Sequence, residues 1–236
     1  MTELALKLDD STLAPGDCHQ VSEAMLQQMD HRYRATLINS ISGYKSANLI
    51  GTVDAAGQTN VSIISSCVHL GADPALIGLV IRPHSVDRHS LENLLSTGYY
   101  TINHVHIDMV EAAHQTSARY DKTASEFEAT GLSEQWLEDF TAPFVAESRL
   151  KFGVRFRQHI PLEINGTEFI IGEICRIILP GGVVNADGYL DLEAAGTATV
   201  TGLDSYHRGQ RLARYSYAKT DRPLSKIDVP TSASKD

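Results

Sequence analysis

Two short β-rich runs do most to constrain what this chain can fold into. Ala47-Asn-Leu-Ile-Gly-Thr-Val53 is followed by Asp54-Ala-Ala-Gly-Gln58, and then by a second run from Thr59 to Ser65. Runs of this kind, separated by about five residues that include a glycine, predict a β-hairpin. Ala75 to Ile81 is a third strand, apolar enough to be buried on both faces. Pro83 ends it. Arg88 to Ser96 predicts a helix with Leu91, Leu94 and Leu95 on one face, and Gly98 stops it. Tyr99 to Val105 is a fourth strand.

The rest of the chain adds helices as connectors and strands as the body. Val21, Ala24, Met25 and Met29 give Cys18–Met29 a helical stripe, an N-terminal helix. Thr36–Ser40 reads as short and extended. Ile107–His114, Ser125–Ala129 and Ser133–Phe140 read as short helices. Leu150, Phe152, Val154 and Phe156 alternate with Lys151, Gly153, Arg155 and Arg157, which is a strand pattern. Thr167–Leu179 is a long strand, Gly181–Gly188 a turn, and Ser225–Asp236 a loose tail. The fold class expected is mainly β, or α+β, built as an antiparallel barrel with short helical insertions. The expected organisation is a single domain over residues 1–224 and a flexible tail over 225–236, a size that such folds reach undivided.

Composition removes several function classes. A formal charge of −9 over 236 residues argues against a general nucleic-acid binder. No apolar run approaches the ~20 residues of a membrane span, and the acidic start MTELALKLDD lacks the pattern of a signal peptide. Cys18, Cys67 and Cys175 are scattered, which points to a reduced, cytoplasmic setting rather than a disulfide framework or a zinc site. No GxGxxG follows a strand and there is no GxxxxGK[ST], so a Rossmann or P-loop nucleotide site is not expected.

What remains is a cluster of cations and hydroxyls. Arg82, Ser85, Arg88, His89 and Ser90 lie where a strand ends and a helix begins. Unpaired N–H groups, the helix dipole and the side-chain donors together make a seat for a phosphate dianion. The same residues also suit an ordinary capped, charged surface helix. Ser65 and Ser66 at a strand end satisfy backbone groups in the plain reading, and Cys67 reads as a small buried residue. A hydrolase using Ser65 or Ser66 would need an elbow such as GxSxG, which is absent. His104 and His106 share a strand face, yet match no metal-ligand spacing. Lys151, Arg155, Arg157 and His159 share one face by odd numbering, either an ordinary solvent face or a dock for an anionic co-substrate. His207 to Arg222 is a second basic stretch.

Three ordered segments carry a resemblance. They are KSANLIGTVDAAGQTNVSIISSCVHLGADPALIGLVIRP, SVDRHSLENLLSTGYYTINHV and AAHQTSARYDKTASEFEATGL. A weaker match continues through the 150–180 strands and LDSYHRGQRLARYSYAK. The chain resembles the flavin reductase-like family of FMN-binding split barrels, the group that includes flavoredoxin-type proteins, over about residues 43–220. Asp73-Pro74-Ala75 stands where the family usually doubles the proline. The resemblance implies a split β-barrel, noncovalent FMN, a homodimer, and hydride transfer from NADH or NADPH, with a possible redox protein partner. It implies that Arg82, Ser85, Arg88, His89 and Ser90 hold the FMN phosphate and that Ser65, Ser66 and Cys67 run past the flavin. It further implies that His114, Thr116 and Tyr120 border the flavin, with Lys45 a further anion contact. No side chain is expected to be catalytic, because the flavin carries the redox chemistry. The alternatives are a non-enzymatic FMN electron carrier, a hydrolase, and a cofactor-free binding module.

Overall fold

The computed structural model describes residues 20–83, 89–121 and 124–228. The predicted hairpin is present as β2 (Asn48–Val53) and β3 (Thr59–Ile64). Its turn closes on Asp54, whose Oδ1 accepts from the backbone N–H groups of Ala56 at 2.8 Å and Gln58 at 2.9 Å. Gly57 supplies the positive φ of 89° that this turn requires.

Seven strands form one antiparallel sheet. In addition to the hairpin it contains β4 (Cys67–Ala72), β5 (Ala75–Ile81), β6 (Tyr99–His104), β9 (Lys151–Leu162) and β10 (Thr167–Ile178). The spatial order is β3-β2-β6-β9-β10-β5-β4. β1 (Lys45–Ser46), β11 (Ala198–Thr201) and β12 (Ser205–Arg208) make a second sheet, and β7 (Glu134–Leu137) with β8 (Phe140–Val145) a separate hairpin. The helices are α1 (Glu23–Gln28), α2 (His31–Ile41), α3 (His89–Thr97), α4 (Val110–Gln115) and α5 (Glu126–Thr130). This is a mostly antiparallel split barrel with short helical insertions and an N-terminal helix. Among the described residues no helix is long and apolar enough to cross a membrane.

The core divides about β2. Ile50 joins Leu79, Tyr100, Ile102, Val154, Ile170 and, from α3, Leu91 and Leu94. Leu49, one residue earlier and so on the opposite face, joins Val61, Val105, Ala113 of α4, Phe127 of α5 and Val200 of β11. Every residue of β2 is therefore buried. Double-sided burial was expected of Ala75–Ile81 instead, but there only Gly78 and Leu79 are buried. The reason is position: β5 stands beside the edge strand β4, whereas α3 packs over β2, β3 and β6.

Other expectations are corrected. Thr36–Ser40 is helical, inside α2, because Asp30 caps that helix: its Oδ1 accepts from the N–H groups of Arg32 and Tyr33. The predicted Cys18–Met29 helix is shorter, starting at Glu23 behind the Ser22 cap. Ser133–Phe140 is no helix but β7 and the start of β8. Phe140, Ala142 and Phe144 alternate at the period of a strand and are buried together. The strands β4, β11 and β12 were not anticipated. Of the expected tail, residues 229–236 lie outside the described residues; before them, Tyr215 bridges to Lys226 and Ser225 N–H donates to Ser216 Oγ.

A close approach locks β8 onto the sheet. Thr101 Oγ1 donates to the Pro143 carbonyl at 2.6 Å, and Asn103 Oδ1 accepts from Val145 N–H at 2.9 Å. A Cβ on Gly51 would collide with both the Pro143 oxygen and Thr101 Oγ1. Because one obstacle is backbone, the site cannot relax cheaply. Gly51→Ala is expected to destabilise the fold by roughly 1–3 kcal/mol, read as a lower urea midpoint at unchanged slope; an unchanged midpoint would show that β8 yields.

Candidate functional site

The site follows from one oddity of strand order. β3 and β4 are consecutive in the chain, separated only by Ser65-Ser66, yet they stand at opposite edges of the seven-stranded sheet. The sheet curls so far that two residues span its edges, and the two strands diverge from that link without pairing. Val80 N–H donates to the Ser66 carbonyl at 2.9 Å, and Cys67 lies opposite Leu79. That register sets Ser65 beside Ile81 and brings Arg82, which is exposed, to the same end. On the other side of the split, Ser62 Oγ and Ser90 Oγ are 2.7 Å apart, so the first turn of α3 is bonded to β3.

The edge of β3 supplies donors. Even-numbered residues of β3 pair with β2 through Asn48, Ile50 and Thr52. Successive backbone groups of a strand point to opposite sides. Val61, Ile63 and Ser65 therefore direct their N–H groups out of the open edge. The Val61 N–H is among the groups that favour the charged Glu126 carboxylate; those of Ile63 and Ser65 follow along the same edge.

The structure thus sets Ser65, Ser66 and Cys67 beside the end of β5 that leads to Arg82, and His89 and Ser90 against β3 through Ser62 and Asn60. Ser85 and Arg88 lie outside the described residues. Burial pushes the Cys67 thiol up to about 11, so it stays protonated and is no nucleophile near neutral pH. Lys45 and Thr116 have their polar atoms engaged elsewhere, and the Ser90 hydroxyl is engaged beside β3. Lys45 Nζ donates to the carbonyls of Asn39 and Gly202, both at 2.9 Å, tying α2 to the β11–β12 turn. Thr116 is buried and its hydroxyl donates to Ala113 O at 2.8 Å. Ser90 donates to Asn60 Oδ1 at 2.6 Å. His114 Nδ1 meets Tyr206 OH at 3.0 Å, and Gln115 Nε2 donates to Tyr120 OH at 3.0 Å, at the end of α4 and in the loop after it.

Asn60, Ser62 and Glu126 were not singled out from sequence. Polar residues at 60 and 62, on a strand that otherwise reads Val-Ile-Ile, were the available signal: both sit on the face that meets α3.

The basic strip on β9 is not a common solvent face. Lys151 is buried and donates to the Val145 and Ala146 carbonyls at 2.7 and 3.2 Å. Arg155 and Arg157 both engage Glu173, and His159 Nε2 meets Glu168 at 2.6 Å. Register shifts between Ile171/Gly172 and Ile174/Arg176 break the simple alternation. In the second stretch Arg211 pairs with Asp191 and Arg214 with Asp187, each at 2.7 Å.

His104 and His106 hold the scaffold. His104 Nδ1 lies 3.4 Å from Thr197 Oγ1, and its ring meets Phe152 edge-on. His106 Nδ1 accepts from Asp108 N–H at 3.2 Å, with Gly196 against the far side of the ring.

With this geometry in place, comparison with known proteins decides the family. Residues 41–193, more than half of the chain, match the model of the flavin reductase like domain. The chain belongs to the flavin reductase-like family. A candidate flavin reductase with a split barrel domain from Shewanella frigidimarina is 54% identical. The match covers 85% of this chain and 100% of that one, with a TM-score of 0.83. Nitrilotriacetate monooxygenase component B from Bacillus cereus shares the fold at 17% identity, covering 83% and 98% of the two chains with a TM-score of 0.73. An uncharacterised protein of Halalkalibacterium halodurans is 28% identical over 188 residues, 77% of this chain and 84% of that protein.

Burial pushes His104 down to about 4 from its ordinary 6.5, and burial also lowers His106. Both favour the neutral ring when folded, while the unfolded chain takes up protons below about 6.5. Their contribution is therefore complete above pH 6.5 and is lost as pH falls from there toward 4. The urea midpoint is expected to drop between pH 7 and pH 5, and His104→Gln to flatten that slope. An equal slope in the variant would assign the acid sensitivity elsewhere.

Proposed function

We propose that the protein is an FMN-dependent oxidoreductase that takes hydride from NADH or NADPH, acting as a flavin reductase or as the reductase partner of a monooxygenase. The observation that supports this reading is the split itself: the free edge of β3, the Ser65-Ser66 link, the exposed Arg82 after β5 and the start of α3 flank the two edges of one curled sheet. These residues fit FMN. A flat heteroaromatic edge rich in carbonyls suits a row of backbone N–H donors, and a phosphate dianion suits an arginine beside a helix N-terminus.

When bound, the flavin would supply the redox chemistry of hydride acceptance from the nicotinamide. The chain's part is to bind and orient. Arg82, with Ser85, Arg88 and His89 from the segment that follows it, holds the phosphate. The backbone of Ile63 and Ser65 holds the ring edge, and Ser65–Cys67 flanks it. The protonated Cys67 thiol stays out of the reaction. No side-chain acid or base is needed, because holding two rings in stacking range supplies much of the acceleration. His114 and Tyr120 border the opening from the α4 side.

A homodimer accompanies this reading. Val68 and Leu70, on the edge strand β4, are 44% and 42% exposed, and Leu212 and Tyr217 of the C-terminal segment are 96% and 84% exposed. Apolar groups on an unpaired edge favour coverage by a second copy.

The purified protein is expected to be yellow, or to turn yellow with FMN, and to oxidise NADH or NADPH. A protein that stays colourless through an FMN titration overturns the reading, and one that is yellow but inert toward both nicotinamides is an electron carrier instead. Arg82→Ala and Arg88→Ala are each expected to weaken FMN binding by roughly 1.5–3 kcal/mol, the worth of a charge-assisted hydrogen bond. Unchanged affinity in the double variant would place the phosphate elsewhere. Cys67→Ser is expected to leave turnover near that of the unaltered protein.

A further inference from the structure

We infer that Glu126 is a positioning residue for the phosphate end of the flavin site: it closes the free edge of β3 at Val61 and, through Asn60 and Ser90, fixes where α3 begins. The inference rests on the flavin reading above.

Glu126 is the first residue of α5 and is only 7% exposed. It lines a small polar cleft with Asp54, Gln58, Thr59, Asn60, His89 and Asn93. Burying a carboxylate is costly unless donors surround it. Here burial pushes its pKa up, while its own backbone N–H, the Asn60 amide, the Val61 N–H and the His89 ring act the other way. The carboxylate therefore sits where two elements of the candidate site meet: the edge of β3 and the first turn of α3.

The hydrogen-bond directions follow from counting protons. Ser90 has one hydroxyl proton, and it goes to Asn60 Oδ1. Ser62, 2.7 Å away, must then donate to Ser90 Oγ. With its carbonyl taken by Ser90, Asn60 has only its amide protons to offer, and these face Glu126. Every donor in the chain from Ser62 through Ser90 and Asn60 thus points toward one anion.

Two consequences concern the ligand. First, Ser90 has no proton left for a phosphate; its hydroxyl tethers α3 to β3. The phosphate is then served by Arg82, His89 and the backbone N–H groups of the first turn of α3. Second, Glu126 takes the Val61 N–H out of use, so the ligand-facing edge of β3 starts at Ile63. Glu126 touches no reacting atom in this scheme; it sets the position of groups that do the binding.

A plain structural role would be indifferent to whether the ligand carries a phosphate, which gives the test. FMN and riboflavin are titrated by fluorescence against the unaltered protein and against Glu126→Ala, Glu126→Gln and Ser90→Ala. Glu126→Ala and Ser90→Ala are expected to weaken FMN by about tenfold or more, the cost of a displaced charge-assisted contact, with riboflavin affinity little changed. Glu126→Gln keeps an acceptor in the same place and removes a charge near the phosphate, so FMN binding is expected to equal or exceed that of the unaltered protein. Equal losses for FMN and riboflavin would mean general scaffolding and overturn the inference. So would tighter FMN binding in Glu126→Ala, which would leave only a charge effect. If Glu126→Ala does not fold, Ser90→Ala decides alone, since it breaks the same tether without altering charge. If the unaltered protein binds neither ligand, the flavin reading fails; if it binds both and no variant changes their ratio, only the role of Glu126 fails.

Discussion

A two-residue link between opposite edges of one sheet is the constraint on which the rest of this structure depends. Ser65-Ser66 can join β3 to β4 only if seven strands curl almost into a closed barrel. The curl is made in β9 and β10, whose pairing carries two register shifts, and bulges of this kind bend a strand and increase its twist. Missing side chains make room inside the bend. A Cβ on Gly172 would strike the Tyr100 hydroxyl and Val154, and one on Gly153 would strike the Phe140 ring. Full closure would have left no unpaired edge. Stopping short leaves a row of N–H groups on β3, which a protein must cover or use. Here α5 covers one of them at Val61, and the others open onto the candidate site.

The sequence made the local parts of this arrangement legible. The β2–β3 hairpin was readable because its turn is closed by its own residues, Asp54 and Gly57. The helix through Leu91 and Leu94 was readable because three leucines lie on one face and Gly98 ends it. What failed was whatever depends on distant partners. β7 and β8 form a hairpin that leans on Thr101, Asn103 and Gly51, none of them near in sequence. The cations of β9 looked free because Glu173, which neutralises two of them, sits on the next strand. α2 was misread for a local reason, since the Asp30 cap was passed over. For the candidate site, the residues at 65–67, 82 and 89–90 draw attention in sequence by their own chemistry. Asn60, Ser62 and Glu126 do not, since only the folded chain brings α5 to the edge of β3.

In the proposed site, the division of labour on β3 would let an acidic chain hold an anionic ligand with few cations. Its even-numbered side chains, Asn60 and Ser62, hold α3 in place, and α3 offers backbone N–H groups and the positive end of its dipole. Among its odd-numbered residues, Val61 joins the cluster of Phe127 and Ala113, and Ile63 offers a backbone donor to the proposed site. Most of the donors in the proposed site are thus main-chain groups, whose position is set by the fold rather than by side-chain rotamers. Apart from proline, which lacks an N–H, substitution does not remove such donors but can displace them. Side chains that fix the placement of β3 and α3 should therefore influence ligand affinity as much as those that touch the ligand. In the proposed site the chain's part is placement, and the placing residues look, in sequence, like ordinary packing and capping positions.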